Sequence, residues 1–142
     1  MKPVLHAMLL ADCVYQDRET GKKIIAGVFD RVAVRKRRPP DEPPPATVPM
    51  NDVRQVGSPY AYIALHEVRG RIPLEFRLVS LDSNEVLFRA ARIEVACDDP
   101  LATVELVLPV PPLPRKPGHY ALELLYENEL VGTHRVTVQE VE

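Results

Sequence analysis

The side chains in this chain that could hold a metal or attack a substrate are four histidines, two cysteines and a scatter of aspartates. His6, His66, His119 and His134 include no pair at i, i+2 or i, i+4. A metal site needs several ligands converging at about 2 Å, and nothing local supplies them. His66 shares a strand face with Tyr60 and Tyr62, which suits a half-buried, hydrogen-bonded histidine, and His119 falls at a strand mouth, open to water. Cys13 and Cys97 are too few for a disulfide framework. A nucleophilic thiol also needs a lowered pKa and a nearby base, and no histidine neighbours either one in the chain. Packed thiols are the plainer reading. Asp12, Asp17, Asp30, Asp82, Asp98 and Asp99 fall at loops and strand ends. Calcium-binding sandwiches gather such residues at one end, whereas consecutive hairpins alternate ends, so these six need not meet. The expectation is therefore no catalytic residue, no cofactor, no metal ligand and no enzymatic activity.

The candidate for contact with a partner is the stretch "RKRRPPDEPPPATVP" from Arg35 to Pro49. Arg35, Lys36, Arg37 and Arg38 are the one dense basic cluster and could grip phosphates or an acidic partner through bidentate arginine contacts. Asp41 and Glu42 follow at once, no aromatic side chain is interleaved, and the net charge is −2. A solvated charge run is the better reading, and nucleic acid is not expected. Arg37, Pro40 and Pro43 fit a loose Arg-x-x-Pro-x-x-Pro pattern, with Pro39 between them. A prolyl segment costs little entropy to order against an aromatic groove, so Arg35, Lys36, Arg37, Arg38, Pro39, Pro40 and Pro43 form the candidate contact surface.

The elements around these residues read as strands. The opening "MKPVLHAMLLADC" has the look of an export signal, but its apolar run is short and broken by His6, and Asp12 stands where a lipoprotein signal needs a small residue. The following "CVYQDRETGKKIIAGVFDRVAV" continues as strand, turn and strand, with Arg18 to Gly21 making the reversal. Residues 4–15 are therefore read as a first strand, apolar throughout because buried on both faces, and the protein as cytoplasmic. The Pro-rich segment cannot pair inside a sheet and is read as a long surface connection after the second strand. In "PYAYIALHEV" Ala61, Ile63, Leu65 and Glu67 share one face, and Tyr60, Tyr62, Ala64 and His66 the other. "IPLEFRLVSL" sets Leu74, Phe76 and Leu78 opposite Glu75 and Arg77. "VLFRAARIEVAC" changes its apolar phase between Phe88 and Ile93, as a bulge would cause. "ATVELVLPV", "HYALELLYE" and "LVGTHRVTV" follow, the last two linked tightly through Asn128 and Glu129. No apolar run reaches the length that a membrane-spanning helix needs.

Ala11, Asp12, Tyr15, Asp17, Thr20, Gly21, Lys22, Gly27, Val28, Phe29 and Asp30 form a succession that resembles a family of small, uncharacterised bacterial proteins. The closing "PGHYALELLYENELVGTHRVTV", with Gly118 and Tyr120 as a Gly-x-Tyr, is similar to the last hairpin of many immunoglobulin-like sandwiches. The resemblance implies a small β-sandwich and brings no activity with it.

At 142 residues the chain suits one domain over 1–142, with the 35–49 loop inside it. The expected fold class is all-β, an antiparallel two-sheet β-sandwich, immunoglobulin-like or C2-like, with about eight strands. A closed barrel is the alternative. The expected function is a non-enzymatic interaction or accessory module that contacts a protein partner or a second copy of itself as a homo-oligomer. The alternative is a ligand-binding domain for carbohydrate, lipid headgroup or calcium, favoured if Tyr60 and Tyr62 line an open groove and excluded if they are buried. An enzyme would require Cys13 or Cys97 to meet a histidine. Neither nucleic-acid binding nor membrane insertion is expected.

Overall fold

In the computed structural model, which describes residues 2–35 and 59–141, nine strands form two sheets that pack face to face. They are β1 (Val4–Gln16), β2 (Lys23–Val28), β3 (Arg31–Arg35), β4 (Tyr60–His66), β5 (Gly70–Ser80), β6 (Val86–Cys97), β7 (Val104–Pro109), β8 (Gly118–Tyr126) and β9 (Glu129–Val141). One sheet has the order β2-β1-β4-β7 and the other β3-β9-β8-β5-β6. The fold is an all-β sandwich, as the alternating sequence predicts, and no described residue is helical. Among the described residues no helix is long and apolar enough to cross a membrane.

Alternation selects the core. Met8, Leu10, Ala61, Ile63 and Leu65 point inward from the four-stranded sheet and meet Leu74, Phe76, Leu78, Leu122, Leu124, Val136 and Val138 from the five-stranded one. Phe76 sets its ring edge-on to Phe88, with centroids 6.5 Å apart, which favours the positive edge of one ring against the face of the other. Where the sheets come closest, Gly132 of β9 lies directly beneath the Leu5 side chain, and a Cβ there would collide with it.

The β1–β2 reversal falls where Asp17 can cap it. Its carboxylate accepts the backbone N–H groups of Glu19 at 2.8 Å and Thr20 at 2.9 Å, and its own carbonyl accepts the N–H of Gly21 at 2.9 Å. The donors from Thr20 and then Glu19 hold the Asp17 carboxyl below its ordinary pKa, because they stabilise the ionised form.

Three expectations change. The run "KKIIAGVFDRVAV" is not one strand. β2 pairs with β1 and ends at Val28, the chain changes sheets at Phe29 and Asp30, and β3 runs parallel to β9. The sandwich therefore includes one parallel pair, and the segment beyond Arg35 follows the third strand. The last hairpin turns on Glu127 and Asn128, since Tyr126 pairs with Glu129. Both turn residues have positive φ, 49° and 66°, the handedness that matches a twisted two-residue hairpin. The bulge in β6 lies where the phase change puts it, with register shifting between Leu74↔Ile93 and Phe76↔Ala90 and Arg92 at φ 61°.

Candidate functional site

The two outer faces of the sandwich differ in kind. On the five-stranded sheet, Arg77 Nε donates to Glu123 Oε1 at 2.8 Å across β5 and β8. Arg89 Nε lies 2.7 Å from Glu75 Oε1, a close ion pair though not an aligned hydrogen bond, and Arg71 meets Glu94 at 3.1 Å. Exposed pairs of this kind contribute little to stability, but they make a well-solvated surface.

The outer face of the four-stranded sheet is apolar. The pairing places Val28, Ala11, Tyr60 and Pro109 in one row across β2, β1, β4 and β7. Leu9, Tyr62 and Val107 form a neighbouring row, and Cys13 with Ala26 and Tyr15 with Ile24 extend the face along the β1–β2 hairpin. Tyr15 is 56% exposed, Val28 52%, Ile24 51% and Tyr60 37%. Ala11 and Ala64 are small and buried beneath their larger neighbours. Lysine and arginine are absent from these outward positions. This corrects the expectation that β1 is buried on both faces. β1 is apolar on both faces, yet among the described residues only its inner face is covered by the opposite sheet.

Polar groups on this face are few and mostly engaged. The Tyr62 hydroxyl donates to the Glu105 carboxylate of β7. Burial, and secondarily the adjacent Glu105, push the Tyr62 hydroxyl up to about 12. Its extra stability is therefore complete below the ordinary tyrosine pKa near 10 and is lost as pH rises towards about 12. Glu105→Gln is expected to bring the phenolate transition part of the way down, because burial remains, and an ultraviolet titration of the folded protein reads it. Unchanged titration would show that Glu105 does not act on Tyr62. Next to them, His6 occupies the bulge where β1 slips between Leu5 and Ala7, and it stacks on His66 with ring centroids 4.5 Å apart. His66 Nε2 shares a hydrogen bond with Thr103 Oγ1 at 3.1 Å, the half-buried, bonded state read from the sequence. Cys13, two residues from Tyr15 on the same face, raises the Tyr15 hydroxyl through a side-chain hydrogen bond and its charge.

The remaining candidates stay apart. His119 is exposed at the start of β8, and His134 donates through Nε2 to the Phe29 carbonyl at 3.1 Å. Cys97 donates to the Asp99 carbonyl at 3.1 Å, and among the described residues neither thiol is hydrogen-bonded to a histidine. Asp12 lies within β1, Asp17, Asp30 and Asp82 sit in three separate connections, and Asp98 and Asp99 share the β6–β7 connection. Among the described residues no three His, Cys, Asp or Glu side chains converge as metal ligands would. Arg35 ends β3, while Lys36, Arg37, Arg38, Pro39, Pro40 and Pro43 lie outside the described residues. Tyr60 is exposed and Tyr62 half-buried, both on the outer side of β4. A cavity of ≈ 290 Å³ does open at the far end of the sandwich, between the β5–β6 turn and prolines 111, 112 and 114. Its ionisable lining groups are Glu85 and Tyr120, and the Tyr120 hydroxyl already donates to the Lys116 carbonyl at 2.7 Å. The apolar face is the stronger candidate, and only pairing across β1, β2, β4 and β7 reveals it, because its residues are distant in the chain. No protein-family model matches this chain, and no curated protein matches it.

Proposed function

We propose that this protein is a non-enzymatic interaction module that binds another protein chain through the outer face of its β2-β1-β4-β7 sheet. One observation supports the reading above others: Tyr15, Ile24, Val28 and Tyr60 stand exposed in one plane, while the opposite outer face is laced with ion pairs. Soluble proteins rarely leave contiguous apolar surface of more than a few hundred Å² open to water unless something covers it. Among the described residues the strands of this face present no lysine or arginine to draw a phosphate, which favours a protein over nucleic acid or an anionic headgroup. A carbohydrate is the second reading, supported by the exposed rings of Tyr15 and Tyr60 on a flat surface. It is the weaker one, because the chain has no tryptophan and the Tyr62 hydroxyl is already engaged.

The test is native mass measurement of the protein purified gently from its own host, beside an Ile24→Lys/Val28→Lys variant. Added protein mass that disappears in the variant is the expected result. The same added mass on both proteins would contradict the proposed face, and a small extra mass lost in the variant would favour the carbohydrate.

A further inference from the structure

Resting on the reading just given, we infer that the occupant of the apolar face is a second copy of this chain, packed sheet against sheet about a two-fold axis through β1.

The size of the face supports a pair. Strands lie about 4.8 Å apart and rise about 3.3 Å per residue, so the outward positions of the four strands cover roughly 500 Å² of plane. Two copies then remove on the order of 1,000 Å² from water, the size at which a specific interface begins. A smaller ligand would leave most of this area wet.

Charge points the same way. In a two-fold contact every residue meets the same surface on its partner, so a charged face repels itself. Among the described residues the strands of this face present one carboxylate, Glu105, already bonded to Tyr62, and two histidines stacked on each other. The charged outer face of the other sheet could not pair with itself so readily. The relief is also suited to self-packing. Ala7, Leu9, Ala11 and Cys13 lie along the outward side of β1, Ala11 already covered by its neighbours, with Tyr15, Ile24, Val28 and Tyr60 standing exposed around them. The exposed large side chains of one copy can interleave with those of the other. Sheets packed in this way lie about 10 Å apart with strands crossing near 30°.

This contact lies at the lower limit of specific interfaces, so the pair is expected to form and separate with concentration, with a dissociation constant of roughly micromolar order. Sedimentation of the purified chain tests it. The expected result is a shift from the 16.0 kDa monomer in dilute solution to a species of twice that mass as concentration rises. Ile24→Lys/Val28→Lys should weaken the pairing at least about 100-fold and hold the protein at the monomer mass, with an unchanged far-ultraviolet circular dichroism spectrum. Tyr60→Arg, on a different strand, provides an independent disruption should the first variant fold poorly. A monomer at every concentration up to about 100 µM, well above a micromolar constant, would overturn the self-pairing. So would a dimer that both variants leave intact. Failure of self-pairing is separable from failure of the interaction reading. A chain that is monomeric when pure, yet carries a variant-sensitive protein mass from its host, keeps the face and assigns it to a different protein.

Discussion

Phe76→Ala is expected to lower the stability of this protein by about 3–5 kcal/mol, which is a large share of the 5–15 kcal/mol that holds a domain of this size. Phe76 is 1% exposed at the middle of β5, with Leu74 and Leu78 beside it on the same face and Phe88 edge-on to its ring. Truncation removes the ring and leaves a cavity between two sheets. Each sheet is held by its own hydrogen bonds, so neither can collapse fully into the gap. The chain has no tryptophan, so the measurement is urea unfolding followed by circular dichroism. A midpoint shift equivalent to less than about 1 kcal/mol would mean that the two sheets do not meet at this ring.

The opposite division of effects is expected on the outer face. Ile24→Lys/Val28→Lys should change folding stability by no more than about 1 kcal/mol, yet reduce binding at the face by about 100-fold or more. Both side chains are about half exposed on an edge strand, so folding gains little from them and a lysine can reach water along its stem. Binding uses the half still exposed. Lysines placed there must be desolvated in any contact, and across a two-fold axis they also approach their own counterparts. Unfolding and sedimentation on the same samples separate the two quantities. A variant that loses stability as heavily as Phe76→Ala would show that the face belongs to the fold itself.

Much of the architecture follows from local pattern. The alternation in "AYIALH" selects Ala61, Ile63 and Leu65 for the core, and the broken phase around Arg92 marks a real bulge. The sheet change at Phe29 is hidden because β2 and β3 have the same apolar character on either side of it. What differs is the partner, β1 for one and β9 for the other, and a partner is a long-range property. The interaction face is hidden for a related reason. An apolar run such as "VLHAMLLADCV" is consistent with a strand covered on both sides, and composition cannot tell a covered face from an open one. Only the two-layer packing shows that Leu10 is inside while Tyr15 and Ile24 are not. The stacked His6 and His66 are likewise 60 residues apart in sequence and meet through the register of β1 with β4.

The chain supplies its own probe for the central claim, that the outer face of the β2-β1-β4-β7 sheet is covered when the protein is at work. Cys13 lies on that face and Cys97 at the end of β6, in the other sheet. The decisive measurement is the rate of alkylation of each thiol in fresh extract of the host, compared with the same protein purified and diluted. Cys13 is expected to react several-fold more slowly in the extract, Cys97 at one rate throughout, and Ile24→Lys/Val28→Lys to abolish the difference. Equal Cys13 rates in extract and in dilute solution would contradict it, because the face would then be open in the setting where it should be bound.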